Sequence, residues 1–221
     1  MDRSTWLKKK RRETEVEYDA IWAPHYGEKY GLYANATHIQ FIQKLLRFIS
    51  CPSTILDAAC GAGRYFPYLF GTGRTVVGAD QSQGMLDRAK AHFPNVRLEK
   101  VGLQEMGFFE IFDGAICVDA MEHISPEDWP LVQENLYRAI KPKGFFYFTV
   151  EMANEPHVMK AYLRAKRAGL PVIMGEWPDE ACYHYYPSMQ LVRGWIRQAG
   201  FEMMEEGQGD GYHHFLVRKD Q

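Results

Sequence analysis

Cysteine is scarce in this 221-residue chain: Cys51, Cys60, Cys117 and Cys182 stand far apart, with no Cys-x-x-Cys pair among them. That spacing argues against a zinc ribbon or a disulfide framework and suits a reducing, cytoplasmic setting; no metal site is expected. Long apolar runs are missing as well. The longest, Phe145 to Val150, falls far short of the ~20 residues that a membrane span needs. No secretory leader is legible, because Lys8-Lys9-Lys10-Arg11-Arg12 runs into Glu13 and Glu15 rather than into an apolar stretch. Charge of one sign is not in excess either: the formal net charge is -2, with 46% hydrophobic and 24% charged residues. These values exclude a disordered, collagenous or fibrous chain and fit one α/β domain able to bury a full core.

The near-neutral total conceals a basic start. Residues 1–12 hold six basic side chains against Asp2, a local charge of +5 that leaves -7 on the remainder. With no second basic cluster and an acidic body, a nucleic-acid groove is not expected. The run reads instead as the solvated, partly frayed face of a leading helix.

Two hydrophobic periods alternate through the middle of the chain. Short β-branched or aromatic runs occur at Thr54–Cys60, Thr75–Asp80, Val96–Val101, Phe112–Asp119 and Phe145–Glu151. Helical spacing separates several of them, as in Leu131, Leu136 and Ile140, with Lys141-Pro142-Lys143-Gly144 as the stop before the fifth strand. This alternation predicts right-handed βαβ units and a mostly parallel sheet with helices on both faces. Three flanking segments complete one domain over 1–221. Residues 1–50 read as a helical cap, with a stripe at Ile39, Ile42, Leu45, Leu46 and Ile49. Residues 152–186 follow the 51–151 core as an insertion longer than a loop requires, the size of a lid. Residues 187–221 read as a helix ending at Gly200 and a hairpin of Phe201–Glu205 with Tyr212–Arg218, so that one strand runs antiparallel.

The strongest chemical signal is Leu56-Asp57-Ala58-Ala59-Cys60-Gly61-Ala62-Gly63. An apolar strand ends there in a Gly-x-Gly turn, at the sheet edge where nucleotide-like cofactors bind. Asp80 ends the next strand, close to the ~20-residue spacing of a carboxylate that grips a ribose. A dinucleotide fingerprint wants a third glycine where Phe66 stands, and Asp57 would repel a pyrophosphate. A carboxylate there suits a ligand carrying an ammonium or sulfonium charge, which points to S-adenosylmethionine.

With Val77-Gly78-Ala79-Asp80-Gln81-Ser82, Phe112–Ile124 and Ile140–Phe145, these motifs resemble the core of class I S-adenosylmethionine-dependent methyltransferases of the small-molecule type. The resemblance implies a Rossmann-like seven-stranded sheet with its last strand antiparallel. It also implies Asp57, Ala59, Gly61 and Gly63 at the methionine end of the cofactor and Asp80 on the ribose, with Gln81 and Met85 beside the adenosine. Val118 and Asp119 would lie by the transferred methyl group. The family usually has an acidic residue near the adenine amino group; here Gly102 takes that position, leaving Leu103 and Gln104 to offer hydrogen bonds.

His123, just past the fourth strand, and His184, within the insertion, are the candidate general bases, although a histidine at the first position also serves packing. His213 and His214 are neighbours on a strand, face opposite ways and read as structural. Aromatics gather at Tyr18, Trp22, Tyr26, Tyr30 and Tyr33 and at Trp177, Tyr183, Tyr185 and Tyr186. They suggest either a cap over the sheet or a closed pocket for a flat acceptor or an amine; Tyr18 and Tyr26 are expected among the cofactor-binding residues, and Tyr18 and Tyr185 to support cofactor or acceptor binding. The partner expected is a small-molecule methyl acceptor, with neither nucleic acid nor membrane, and the chain a monomer or homodimer. An NAD-dependent oxidoreductase and a non-catalytic cofactor-binding protein are the alternatives. No Asn-Pro-Pro-aromatic stretch of a nucleic-acid methyltransferase follows the fourth strand.

Overall fold

The computed structural model describes residues 1–30, 34–178 and 182–220; Tyr33 and the side chain of Tyr30 lie outside the described residues. In chain order the elements begin with helix α1 (Arg3–Glu17), a π-helical turn (Tyr18–Trp22), α2 (Ala23–Tyr30) and α3 (Ala36–Phe48). The alternating core follows: β1 (Ser53–Ala58), α4 (Phe66–Leu69), β2 (Arg74–Asp80), α5 (Gln83–His92), β3 (Arg97–Lys100), β4 (Phe112–Cys117), a 3-10 turn (Met121–His123), α6 (Trp129–Ala139) and β5 (Ile140–Glu151). The insertion holds α7 (Glu155–Arg167) and the short strands β6 (Glu176–Pro178) and β7 (Tyr183–Tyr185). The chain closes with α8 (Met189–Ala199), β8 (Phe201–Gly209) and β9 (Tyr212–Lys219).

The main sheet has the order β3-β2-β1-β4-β5-β9-β8, and only β9 runs against the other six strands. Its two faces follow from the period-2 alternation of side chains. On β1, Leu56 and Ala58 join the core under α6 and α8, where Trp129, Leu136, Val192 and Ile196 pack. Ile55 points the other way, into the core under α3, α4 and α5 with Ile42, Leu45, Phe66 and Leu86. A seven-stranded Rossmann-like sheet with helices on both faces is thus the fold, as the alternation implies.

Three local readings are corrected. Lys141–Gly144 does not precede the fifth strand but lies inside it, because β5 already pairs with β4 at Ile140. The terminal hairpin is longer than expected and turns at Asp210-Gly211 alone. The basic leader is not frayed: Trp6 is 2% exposed, Arg3 reaches Glu127 and Glu176, and Arg11 pairs with Glu105. Each docked arginine meets a carboxylate on another element, which anchors a helix that its mostly polar composition alone would leave loose.

Beneath α3, His38 is 1% exposed and its Nδ1 lies 2.6 Å from the Tyr65 hydroxyl. Burial, helped by nearby His214, pulls its pKa down to about 4. Below the ordinary histidine value near 6.5, the unfolded chain therefore binds a proton that the folded chain refuses. This residue's contribution to stability is complete above that value and falls as the pH drops. The loss is about 2 kcal/mol by pH 5. The urea midpoint should fall more steeply over this range in the wild type than in His38→Gln; parallel acid limbs would refute the assignment.

Candidate active site

A cavity of about 480 Å³ opens at the carboxyl edge of the parallel strands. Its floor is the turn after β1. Ala59 (φ 58°) and Gly61 (φ 53°) take left-handed backbone angles there, and Asp119 after β4 does the same (φ 58°). Such angles at non-glycine residues cost energy and collect where a ligand must be met closely.

Asp80 is fixed by the main chain, its Oδ2 accepting the Gly61 N–H and its Oδ1 the Ser82 N–H, both at 2.8 Å. Asp57 is different. It is 2% exposed, it lines the cavity, and its Oδ2 accepts no hydrogen bond. Burial and then the neighbouring Asp80 push its carboxyl well above the usual carboxylate range, with Arg64 pulling the other way. A buried acceptor left in this condition favours a cationic ligand group.

The helical cap forms the roof. Tyr18, Trp22 and Tyr26 all line the cavity, because the π turn carries the helix past Pro24 without breaking the shared face. Asp19 ties this turn to α5, its Oδ1 accepting the Ser82 hydroxyl at 2.6 Å and the Gly84 N–H at 2.9 Å. A polar chain then crosses the cavity: the Arg64 guanidinium donates to the Tyr26 hydroxyl and, at 3.2 Å, to Asp119 Oδ2, while the Tyr212 hydroxyl donates to Asp119 Oδ1.

Of the residues singled out in the sequence, Tyr18, Tyr26, Asp57, Ala59, Gly61, Asp80, Gln81, Met85, Leu103, Gln104, Val118, Asp119, His123 and His184 all line this one cavity. Gly63 does not. At φ 80°, a Cβ there would stand 2.6 Å from the Phe66 ring, so the close packing of α4 requires a glycine. Tyr185 also falls away from the cavity, 4% exposed within the main core. Gly102, where an acid was expected, lies beneath the Arg11–Glu105 ion pair: a Cβ would meet Arg11 Nη2 at 2.5 Å and Glu105 Oε2 at 2.7 Å.

His123 has both ring nitrogens engaged. Its Nδ1 lies 3.1 Å from the Tyr183 carbonyl, which can only accept, so Nδ1 carries the proton. In the neutral ring, Nε2 then accepts the Tyr18 hydroxyl at 3.1 Å. Burial lowers the pKa of His123, which favours that neutral form. With both ring nitrogens so placed, His123 fixes the Tyr18 hydroxyl at the cavity. The His184 ring lies beside that of His123, tilted by 51° with ring centroids 4.7 Å apart.

Several lining residues escaped sequence reasoning, chiefly Arg64, Tyr212, Glu122 and Glu151. Glu122 and Glu151 lie at the carboxyl ends of neighbouring strands, the edge where parallel sheets bind ligands, and that rule could have found them. Among the described residues, no group of histidine, cysteine and acidic side chains is placed to hold a metal ion. No helix there is long and apolar enough to cross a membrane.

The strand order and the site at its carboxyl edge define a Rossmann-like methyltransferase fold. Residues 55–144 match the family model of the methyltransferase domain. The chain is 32% identical over 99 residues to an uncharacterised methyltransferase of Synechocystis, covering 44% of this chain and 47% of that protein. It is 30% identical over 114 residues to the ubiquinone biosynthesis O-methyltransferase of Coxiella burnetii, covering 49% and 46%. The matches therefore span about half the length of these curated relatives. Over this stretch the chain is similar to the S-adenosylmethionine-dependent methyltransferases, and its fold is theirs.

Solved structures share the fold at low identity. The Burkholderia thailandensis 1,6-didemethyltoxoflavin-N1-methyltransferase, crystallised with that substrate and S-adenosylhomocysteine, aligns with a TM-score of 0.67 at 16% identity, covering 94% of this chain and 88% of that one. The Synechocystis magnesium protoporphyrin IX methyltransferase, with bound S-adenosylhomocysteine, gives 0.66 at 15% identity and covers 95% and 98%.

Proposed function

We propose that the chain transfers the methyl group of S-adenosylmethionine to a small-molecule acceptor and releases S-adenosylhomocysteine. The observation that carries this reading is the pairing of a main-chain-anchored Asp80 with a buried, unsatisfied Asp57 in one cavity. The two carboxylates match two separate parts of this cofactor: Asp80 would take the ribose hydroxyls, and Asp57, with the main chain at Ala59 and Gly61, the ammonium end. Gln81 and Met85 would flank the adenosine, and Leu103 and Gln104 would meet the adenine. Val118 and Asp119 would face the methyl group.

When bound, the cofactor supplies a methyl group on an already activated leaving group. The chain's own work is then alignment and exclusion of water. Tyr18, Trp22 and Tyr26 roof the cavity, and His123 fixes the Tyr18 hydroxyl from behind. The insertion supports this roof, since the Tyr183 ring packs edge-on against Trp6 with centroids 6.0 Å apart. Residues 1–50 and 152–186 thus act together as the cover of one domain.

A dinucleotide fits less well. Phe66 fills the place of the third glycine, and α4 behind the turn is only four residues long. Cys51, Cys60 and Cys117 are free thiols, which suits the reducing cytoplasm proposed for the chain, as monomer or homodimer. Parallel calorimetric titrations with S-adenosylmethionine, S-adenosylhomocysteine and NAD test the reading. Micromolar binding of the first two is expected; binding of NAD alone would overturn it.

A further inference from the structure

Among the described residues, five carboxylates line the cavity: Asp57, Asp80, Asp119, Glu122 and Glu151. Three have their charge met. Asp80 is held by main-chain N–H groups, Asp119 by Arg64 and Tyr212, and Asp57 faces the cationic end of the cofactor under the reading above. Glu122 and Glu151 remain. Glu122 is 3% exposed, and its Oε2 accepts no hydrogen bond. Glu151 accepts one, from the Tyr186 hydroxyl at 3.1 Å.

Glu151 ends β5, and Glu122 lies in the 3-10 turn that follows the neighbouring strand β4. The two arginines that line the cavity are each paired with a carboxylate, Arg11 with Glu105 and Arg64 with Asp119. An anionic acceptor, a carboxylate or a phenolate, would therefore meet like charge, with both lining arginines already paired. Tyr18 and Trp22 in the roof of the same cavity bring aromatic rings, whose faces attract cations.

We propose that the methyl acceptor is a cationic amine whose ammonium group is received between Glu122 and Glu151. This rests on the methyl-transfer reading of the same cavity. The ammonium nitrogen first gives a proton to the Glu122 carboxylate, breaking an N–H bond and forming an O–H bond. Its freed lone pair forms the new N–C bond as the C–S bond breaks, the bonding electrons going to sulfur. Sulfur ends as a neutral thioether, nitrogen carries the positive charge as an N-methylammonium, and the proton on Glu122 leaves to water. Burial, reinforced by Asp119 and Glu151, pushes the Glu122 carboxyl well above the usual range and favours the acid in the empty cavity, whereas an arriving ammonium group favours the ionised form that takes its proton.

The test titrates the full chain, saturated with S-adenosylhomocysteine, with butylammonium and 2-phenylethylammonium. Each is compared with its matched alcohol and with 3-phenylpropionate. At least one ammonium ion should bind about tenfold or more tighter than its alcohol, with the carboxylate weakest. Glu122→Gln should remove that preference while S-adenosylhomocysteine still binds. Glu151→Gln should reduce it and keeps the test alive if the first variant does not fold. Binding of the alcohols as tightly as the ammonium ions overturns the proposal, as does binding of no ammonium ion to a complex that holds S-adenosylhomocysteine. Failure of S-adenosylhomocysteine itself to bind is a separate result and overturns the methyl-transfer reading first.

Discussion

Asp80→Ala should weaken binding of S-adenosylmethionine and S-adenosylhomocysteine by at least about 100-fold. Each oxygen of this carboxylate accepts one main-chain N–H at 2.8 Å, from Gly61 and from Ser82. An ionised carboxylate has acceptor capacity beyond two bonds, so both oxygens keep lone pairs for the cavity. They are held still, and two vicinal hydroxyls meet them without further ordering. Hydrogen bonds to a charged group contribute about 1.5–3 kcal/mol each. Losing two of them, and leaving the Gly61 and Ser82 N–H groups without their acceptor, accounts for the expected factor. Asp80→Asn retains one acceptor but turns an amide donor towards one of those N–H groups, and an intermediate loss of about tenfold follows. Calorimetry on the three proteins gives the answer directly. Equal affinity in all three would place the ribose elsewhere and remove the role assigned to Asp80.

What could be read in advance here is what lies close along the chain. Asp57, Gly61 and Asp80 belong to two consecutive strands and their turns, so a short stretch of sequence contains both the residues and the reason for their spacing. The helical stripe of α3 was equally legible, with Ile42, Leu45 and Leu46 buried as its period requires. The acceptor side was not, because it is assembled by topology. Tyr212 reaches the cavity only because β9 runs backwards and pairs its first residue with Glu151, the last of β5. Glu122 carries no local signal: its meaning comes from burial and from an empty hydrogen-bond position that only three-dimensional packing defines. The basic leader misled for the same reason. Read locally it is a solvated run, but its arginines find partners 94 and 173 residues away.

The largest of those long-range contacts sets the other major expectation. Glu176 is fully buried, and its carboxylate accepts from Arg3 Nη2 at 2.7 Å, the Ile173 N–H at 2.7 Å and the Tyr183 hydroxyl at 2.6 Å. Arg3→Met strips the cation from a buried charge and should lower stability by about 3–5 kcal/mol. Glu127→Gln removes only the exposed half of the same arginine's pairing and should cost no more than about 1 kcal/mol. Arg3→Met with Glu176→Leu should recover part of the loss, since no unpaired carboxylate is left, but not the bonds to Ile173 and Tyr183. Urea unfolding ranks the variants, and hydrogen exchange shows whether α1 opens alone or with the rest. Because Thr14, Tyr18 and Trp22 in the cavity roof all hang from this helix and the turn that follows it, a local opening of α1 should also lower S-adenosylhomocysteine affinity. Loss of stability with unchanged cofactor affinity would show that the roof is held by Asp19 and Arg11 instead, and that Arg3 anchors the insertion for reasons unconnected with the site.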